Sequence, residues 1–340
     1  MAELRLTYED VQGVFSIMPT PATDDADQVD AEDTVDLDEA ARGARSLVED
    51  DVDAVMINGT FGEAATLTER EWRDFTETVV EAVDGAVPVV AGPLTLNTRT
   101  TIDRAKFARE VGADGLLLGR PMWCQLNEPA TLQFYRDVAN AVPELGIVVY
   151  YNTAAFKGGF SYDLWDDLAD IEQVVGAKYG SFDVKYYDTF RSIGDRVRLM
   201  PIEYEWYKAH RWFPEGAVAC WSGTCASSGP LPVTLLRDAI LAGRDGVAEE
   251  LTDRIWWTNE PFHPEGDAVR RAGESEEFAR YTIPLDKIRI QAAEYIDAGP
   301  CRRPYHIIPE EYAEGARESG RRWQELVAEL EADNPLERPA

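Results

Sequence analysis

The stretch Val174-Val175-Gly176-Ala177-Lys178-Tyr179 is a short apolar run with a lysine near its end. An acidic segment precedes it and Gly180-Ser181 follows it, which predicts a buried parallel strand. Burial penalises the ammonium form of a lysine, so it lowers the pKa and leaves a nucleophilic amine. The alternative is a structural lysine whose amine extends from the strand end into water. Only six of the 33 basic residues are lysines, which favours a role that needs proton loss and that arginine cannot take.

Seven further short apolar runs accompany this strand, and a helical pattern follows each of the eight. The predicted strands cover 14–18, 54–58, 87–92, 115–118, 146–151, 174–179, 197–200 and 216–220. The predicted helices cover 40–48, 68–83, 98–111, 128–142, 162–171, 182–193, 203–213 and 231–241, and Thr68 with Glu71 gives the second a capping box. Short strands alternating with helices predict parallel pairing with the helices outside. Eight such units predict an α/β fold, the (β/α)8 TIM barrel.

A doubly wound open sheet is the alternative architecture, and it is disfavoured because no GxGxxG sequence follows the first strand. We expect a catalytic barrel domain over 1–242 and a C-terminal helical extension over 243–340 that packs on the barrel. Helical patterns in the extension cover 247–257, 275–298 and 309–332, with a break or kink expected at Pro284. These helices are also candidates for a subunit contact, and we expect a homo-oligomer, either a dimer or a tetramer.

The net charge of the chain is −30, from 63 acidic and 33 basic residues. Nucleic acid and anionic membranes repel such a surface, so neither is expected as a partner. A carboxylate-rich surface with few lysines is typical of halophilic proteins, because high salt screens the self-repulsion. The acidic segments Asp24-Asp25-Ala26-Asp27 and Glu49-Asp50-Asp51 lack the ligand spacing and the turn glycine of a calcium loop, and we interpret them as solvated surface.

The cysteines and histidines show no pattern of a metal site or a disulfide framework. The residues concerned are Cys124, Cys220, Cys225, Cys301, His210, His263 and His306, which include no CxxC pair and no close histidines. We therefore expect no metal, no disulfide framework and no cofactor. Residues 1–20 contain no basic start followed by a long apolar stretch, and no apolar run reaches membrane-spanning length, which favours a cytoplasmic location.

Chemistry-bearing residues fall where the predicted strands end, which is the catalytic face of a (β/α)8 barrel. The set comprises Thr60, Phe61, Pro121-Met122-Trp123, Tyr150-Tyr151-Asn152, Lys178 and Trp221-Ser222. It offers an amine nucleophile, tyrosines able to transfer protons, and a Gly59-Thr60-Phe61-Gly62 turn whose backbone amides suit a carboxylate. This combination predicts Schiff-base chemistry on an α-keto acid.

Each member of the set also has a structural alternative. The Gly59-Thr60-Phe61-Gly62 segment can be an ordinary tight turn, and the tyrosines and tryptophans can be packing residues of the barrel. Glu63 can form a salt bridge or a cap rather than act as an acid. The argument for a site therefore depends on the joint position of these residues at strand ends.

Several segments, in order and at similar spacing, resemble the dihydrodipicolinate synthase/N-acetylneuraminate lyase superfamily. They are Gly13-Val14 with Thr20-Pro21, Asn58-Gly59-Thr60-Phe61-Gly62-Glu63-Ala64-Ala65-Thr66-Leu67-Thr68, Pro88-Val89-Val90-Ala91-Gly92, Gly112-Ala113-Asp114-Gly115, Tyr151-Asn152 and Gly176-Ala177-Lys178. The resemblance implies a class I aldolase or lyase that binds pyruvate as a Schiff base on Lys178. It further implies that a tyrosine of Tyr150-Tyr151-Asn152 relays protons and that the Gly59-Thr60-Phe61 turn holds the substrate carboxylate.

Within the superfamily, the sequence is similar to the hydratase-aldolases of polycyclic aromatic breakdown, which act on trans-o-hydroxybenzylidenepyruvate or its carboxy analogue. The features that carry this similarity are Gly-Thr-Phe-Gly-Glu at 59–63, Arg-Pro-Met-Trp at 120–123, Ala-Phe-Lys at 155–157 and Trp221-Ser222. Dihydrodipicolinate synthases instead have an arginine where this chain has Phe156 and Lys157. A pocket formed by Phe61, Met122, Trp123 and Trp221 suits an aromatic acceptor.

Two positions leave alternatives open. The subgroup pattern Tyr-x-Asn selects Tyr150 as the proton relay, whereas the wider pattern Tyr-Asn selects Tyr151, and adjacent strand residues face opposite ways. The subgroup also has an asparagine near Thr282, which bears on water handling in this chain. We expect cleavage of an arylidene-pyruvate to an aromatic aldehyde and pyruvate. The alternatives are a 2-keto-3-deoxy-acid aldolase, a dihydrodipicolinate synthase-like condensing enzyme, and a non-catalytic binder of aromatic keto acids.

Overall fold

The structure is a computed structural model that describes residues 3–180, 182–262 and 276–337. In that part of the chain, eight short strands lie parallel to their neighbours in one sheet. They are β1 (Gly13–Ile17), β2 (Ala54–Ile57), β3 (Val89–Ala91), β4 (Gly115–Leu118), β5 (Gly146–Tyr151), β6 (Val174–Tyr179), β7 (Arg198–Met200) and β8 (Ala219–Ser222). Nearly all of their residues are buried, as expected for strands covered on both faces.

The sheet curves into a barrel because its last strand returns to its first. β8 pairs in parallel with β1, with Gly13 opposite Ala219. A single bridge between Ile202 and Trp221 links the β7 side to β8, and the Trp221 amide donates to the Pro201 carbonyl at 3.0 Å. The predicted (β/α)8 architecture is confirmed.

Helices follow the strands around the outside of the barrel. They are α1 (Leu37–Glu49), α2 (Glu69–Val83), α3 (Thr98–Val111), α4 (Glu128–Ala141), α5 (Tyr162–Ala169), α6 (Val184–Ile193), α7 (Glu203–Trp212), the short α8 (Thr224–Ser227) and α9 (Leu231–Leu241). The predicted capping box is present, since Thr68 and Glu71 bond reciprocally at the start of α2. None of the described helices combines the length and apolar composition needed to cross a membrane.

Three longer helices come after the barrel: α10 (Asp245–Asn259), α11 (Glu276–Ala293) and α12 (Glu310–Ala332). They share one hydrophobic cluster with barrel elements, in which Leu251 and Trp323 pack with Val14 of β1 and Leu236 of α9. α11 continues through Pro284, so the helix does not break there. The predicted start at Ser275 lies outside the described residues.

The prediction for the last strand was wrong at its boundaries. The amides of Gly216 and Ala217 both donate to the Phe213 carbonyl and close the turn after α7, so they do not take part in the sheet. β8 therefore begins at Ala219 and extends through Ser222. As a consequence, Trp221 lies within the strand rather than in the loop after it.

Candidate active site

Lys178 lies near the end of β6 with its side chain inside the barrel. The residue is 7 % exposed, and its Cα is in register with Tyr150 of β5 and Met200 of β7. The Lys178 amine is 3.5 Å from the centroid of the Trp221 ring and 4.7 Å from that of the Tyr150 ring. The amine thus lies against two aromatic rings inside the barrel and does not extend into water.

The charge state of this amine is controlled mainly by burial. Burial lowers the pKa of Lys178, because removal from water disfavours the ammonium form. Tyr150, Asp286 and Glu203 act in the opposite direction, but the net direction is down. A larger share of Lys178 is therefore a neutral, nucleophilic amine than for a lysine in water.

Tyr150 brings a hydroxyl to the same end of the barrel. Its hydroxyl and the Thr60 hydroxyl are 2.6 Å apart and share a hydrogen bond. The Tyr150 ring meets the Phe156 ring edge-on, with centroids 5.2 Å apart. Phe156 in turn occupies the space that a side chain at Gly119 would take, which fixes its position. Tyr150 is therefore held at both ends beside Lys178.

Tyr151 and Asn152 have other surroundings. The Tyr151 ring packs with Phe160, Trp165 and Tyr179 at centroid distances of 4.7–5.3 Å, and the Lys185 amine donates to its hydroxyl at 3.2 Å. Since Trp165 belongs to α5, these contacts place the Tyr151 ring between the barrel and its outer helices. Of the two adjacent tyrosines, Tyr150 is the one beside Lys178.

Asn152 follows Tyr151 and stabilises the loop that it begins. Its side-chain oxygen accepts from the Ala155 amide at 3.0 Å, and its carbonyl accepts from the Phe156 amide at 3.0 Å. Both of these bonds stabilise the loop.

The turn after β2 is shaped by unusual backbone angles and close backbone contacts. Asn58 and Glu63 have φ values of 59° and 53°, in the left-handed region. The Thr20 hydroxyl donates to the Gly62 carbonyl at 2.7 Å and so stabilises the turn. Within the described residues, the amides of Thr60 and Phe61 donate to no hydrogen bond. Two adjacent unpaired amides suit a carboxylate ligand.

A buried ionic network fastens this turn to the C-terminal part of the chain. The Glu63 carboxylate is fully buried, and it accepts from the Lys287 amine at 2.7 Å and from the Arg302 guanidinium at 2.5 Å. The Arg302 amide also donates to Glu63, at 2.6 Å. Of the interpretations open for Glu63, the salt bridge is confirmed. Neither partner was predicted from the sequence.

The predicted aromatic lining is brought together only in part. Trp221 donates its indole N–H to the Tyr179 carbonyl at 2.9 Å, and its ring approaches Gly223 together with the Phe61 ring. Trp123 is instead 75 % exposed, and its carbonyl accepts from the Lys157 amine at 2.6 Å. Of the residues expected to line a pocket, Phe61 and Trp221 lie together, Met122 is partly buried against the core, and the Trp123 indole is largely in solvent.

The loop after β5 depends on Arg120, a residue for which the sequence predicted no role of its own. Arg120 is buried, and its guanidinium donates to the carbonyls of Phe156 at 3.0 Å, Lys157 at 3.2 Å and Gly158 at 2.7 Å. Burial lowers the pKa of Arg120, yet an arginine keeps its charge. Arg120 thus positions Phe156, and through it the Tyr150 ring.

α11 contributes a carboxyl group that the sequence did not reveal. Thr282, the predicted water-handling position, is partly exposed on this helix, one turn before Asp286. Burial raises the pKa of Asp286 to about 7, while Arg289 and Lys178 act in the opposite direction.

Among the described residues, no group of three or more His, Cys, Asp or Glu side chains is arranged to hold a metal ion.

The (β/α)8 fold of this chain, with a buried lysine beside a tyrosine hydroxyl, fits the class of lyases that are built on such barrels. The chain belongs to the dihydrodipicolinate synthetase family, whose model matches residues 11–201. This confirms the family that the sequence motifs indicated, and the chain is a carbon–carbon lyase of the aldolase type.

The comparisons with individual proteins extend over nearly the whole chain. Trans-O-hydroxybenzylidenepyruvate hydratase-aldolase of Pseudomonas putida is 41 % identical over 328 residues, which cover 95 % of this chain and 96 % of the relative. Trans-2'-carboxybenzalpyruvate hydratase-aldolase of Nocardioides sp. (strain KP7) is 40 % identical over 337 residues, covering 97 % and 99 %. The solved structure of PhdJ bound to a substrate intermediate has a TM-score of 0.92 at 44 % identity, covering 96 % of this chain and 99 % of that one.

Proposed function

We propose that this chain is a hydratase-aldolase that converts an arylidene-pyruvate and water to an aromatic aldehyde and pyruvate. The observation that carries the proposal is the Lys178 amine, buried and 3.5 Å from the Trp221 ring centroid, beside the Tyr150–Thr60 hydroxyl pair. The hydratase-aldolase names of relatives that are 40–41 % identical over nearly the full length support it.

Catalysis begins when the neutral Lys178 amine attacks the keto carbon of the substrate. Loss of water then gives a protonated imine, the Schiff base, in conjugation with the alkene. The substrate carboxylate binds the amides of Thr60 and Phe61, which places the keto carbon toward the amine. Burial supports this step because it lowers the pKa of Lys178.

Water next adds to the alkene carbon that carries the aromatic ring, because the iminium draws electrons away from it. The resulting enamine takes a proton on the adjacent carbon and becomes an iminium again. Tyr150 then removes the proton of the new hydroxyl, the carbon–carbon bond breaks, and the aldehyde leaves. Protonation of the remaining enamine and hydrolysis release pyruvate and free Lys178.

The aromatic half of the substrate packs on Phe61 and Trp221. These flat side chains favour an aryl group over a chain of hydroxyls, which would need polar partners to replace its bonds to water. A 2-keto-3-deoxy-acid aldolase is therefore the weaker candidate. The same holds for a synthase-like condensing enzyme, since Lys157 bonds to the Trp123 carbonyl where those enzymes have an arginine.

The experiment that tests this function is an assay of pyruvate release from a panel of arylidene-pyruvates and 2-keto-3-deoxy acids. We expect turnover of the arylidene-pyruvates and little of the deoxy acids. Lys178→Arg should abolish turnover if the chain is an enzyme, whereas a non-catalytic binder would keep most of its ligand affinity in that variant. Release of pyruvate by that variant at the wild-type rate, or preference for the deoxy acids, would refute the proposal.

We further propose that the protein is a cytoplasmic homo-oligomer adapted to high salt. The net charge of −30 supports the last point, because self-repulsion of that size is relieved by screening. The C-terminal helices remain the candidates for the subunit contact. Light scattering in about 0.2 M and about 2 M salt measures the number of subunits and shows whether assembly improves when the charges are more strongly screened.

A further inference from the structure

We propose that Asp286 on α11 is a second proton-transfer group of the active site, and that its carboxylate takes the proton of the water that adds to the substrate. This inference rests on the proposed hydratase-aldolase function. It gives the hydration step a base of its own, separate from Tyr150, which serves the cleavage step.

Two buried basic side chains hold the α11 backbone on either side of this position. The Lys287 amine donates to Glu63 at 2.7 Å and to the Pro300 carbonyl at 2.7 Å. The Arg289 guanidinium donates to the Thr224 hydroxyl at 3.1 Å and also bonds to Asn259. One anchor lies at the turn after β2 and the other directly after β8, so this part of α11 spans two strand ends of the barrel.

The helical period then decides which way Asp286 faces. Residues three and four apart share a helix face, so Asp286 lies on the face of Arg289 and of Thr282. Arg289 contacts Thr224 and Cys225, which come directly after the strand that carries Trp221. Asp286 therefore lies on the side of α11 that packs toward the segment after β8, and the charges of Lys178 and Glu203 act on it from the barrel side.

The Asp286 carboxylate is available for a ligand. Among the described side chains, which exclude those of 276–279, none forms a hydrogen bond or ion pair with this carboxylate, and the residue is partly exposed. The charged and titratable groups that act on it are Lys178 of β6, Arg289 of α11, Glu203 of α7 and Cys301 after α11. Burial and Glu203 favour the protonated acid, whereas Arg289 and Lys178 favour the carboxylate.

This balance suits a group that takes a proton and later returns it. With the pKa of Asp286 near 7, both protonation states are populated at neutral pH. Formation of the iminium gives the Lys178 nitrogen a fixed positive charge that no longer depends on pH. That charge stabilises the Asp286 carboxylate when a base is needed.

Every proton and electron pair that moves in the hydration step has a donor and an acceptor. The water oxygen bonds to the aryl-bearing carbon, one water O–H bond breaks, and its proton moves to Asp286. The alkene electron pair forms the enamine double bond, and the iminium electron pair returns to the Lys178 nitrogen. Asp286 then gives its proton to the enamine carbon, which restores the iminium and the ionised carboxylate before cleavage begins.

The test compares two substrates of the same enzyme. Benzylidenepyruvate requires hydration and cleavage, whereas 4-hydroxy-4-phenyl-2-oxobutanoate, its hydrated form, requires cleavage alone. We expect Asp286→Asn to lower kcat for benzylidenepyruvate about 10²-fold or more with little change in KM. Cleavage of the hydrated compound and borohydride trapping of pyruvate on Lys178 should remain close to wild type.

The control is Glu294→Gln, which removes an exposed carboxylate just beyond α11 and should change neither reaction. Equal losses on both substrates, or no loss on either, would overturn the role of Asp286. Should Asp286→Asn fail to fold, the wild-type pH profiles decide. Hydration should lose activity below about pH 7 through a group that cleavage lacks, and identical profiles would overturn the proposal. If the wild type cleaves neither substrate, the proposed function itself has failed.

Discussion

Replacement of Glu63 by glutamine should destabilise the protein and weaken its hold on the substrate carboxylate. The wild-type carboxylate is fully buried between Lys287 and Arg302, whose side chains are 1 % and 4 % exposed. The substitution leaves both of these basic groups buried without their negative partner. The turn with Thr60 and Phe61 also loses its connection to the C-terminal part of the chain.

The size of the effect follows from the chemistry of the two basic groups. Removal of one partner of a buried ion pair costs about 3–5 kcal/mol of unfolding free energy. Lys287 can reduce its part of this cost by losing its proton, because burial already lowers its pKa. Arg302 cannot, and it remains fixed by bonds to the Thr34 hydroxyl and carbonyl. We therefore expect a loss of about 3–5 kcal/mol.

Urea denaturation of the wild type and of Glu63→Gln, at one salt concentration, measures this loss of unfolding free energy. Glu314→Gln is the matched control, because it breaks the exposed pairs with Arg317 and Arg321 and should leave the midpoint unchanged. Adding Lys287→Met to Glu63→Gln should recover part of the stability, since no buried amine is then left unpaired. The reasoning is refuted if Glu63→Gln unfolds at the same urea concentration as the control.

Four further outcomes follow from the site. Tyr150→Phe should lower kcat about 10²–10⁴-fold, whereas Tyr151→Phe should leave kcat near wild type, and equal losses would contradict the assignment of the relay. Arg120→Met leaves three loop carbonyls unpaired and should cost about 1–3 kcal/mol, seen as a lower urea midpoint and faster proteolysis of the loop. Trp221→Leu removes an aromatic face that stabilises the ammonium form of Lys178, so Schiff-base formation with pyruvate should persist to lower pH than in wild type. A thermal unfolding midpoint that fails to rise with KCl would contradict adaptation to high salt.

Much of the barrel could be predicted from the sequence, because buried parallel strands appear as short apolar runs. β4, β5, β6 and α3 have the predicted boundaries. The start of β8 was misplaced because Gly216, Ala217 and Val218 are apolar like strand residues, although two of their amides close a turn. Only the hydrogen bonds to the Phe213 carbonyl show that Gly216 and Ala217 form a turn rather than the start of a strand.

Site residues could be predicted from the sequence only where they lie at the ends of predicted strands. Lys178 and Tyr150 were found by that rule. Asp286 and Lys287 lie in a helix and Arg302 in a loop, all more than 200 residues beyond Glu63. Charged residues on a helix normally indicate a solvated face. A signal was present, since Lys287 and Arg289 interrupt the apolar series Ile283, Leu285, Ile288 and Ile290, and both proved to be buried.

The exposure of Trp123 had no signal in the sequence. An indole after a strand end suits a pocket wall and a surface loop equally well, and only the packing of the neighbouring loops decides between them. Here the Lys157 amine holds the Trp123 carbonyl, and the ring lies outside the aromatic lining.

The most direct test of the mechanism is reductive trapping with pyruvate and borohydride, followed by proteolysis and mass spectrometry. We predict one reduced pyruvate adduct, on the peptide that contains Lys178, and none on that peptide in Lys178→Arg. An adduct on Lys185 instead, or an unmodified Lys178 under conditions that support turnover, would contradict the account.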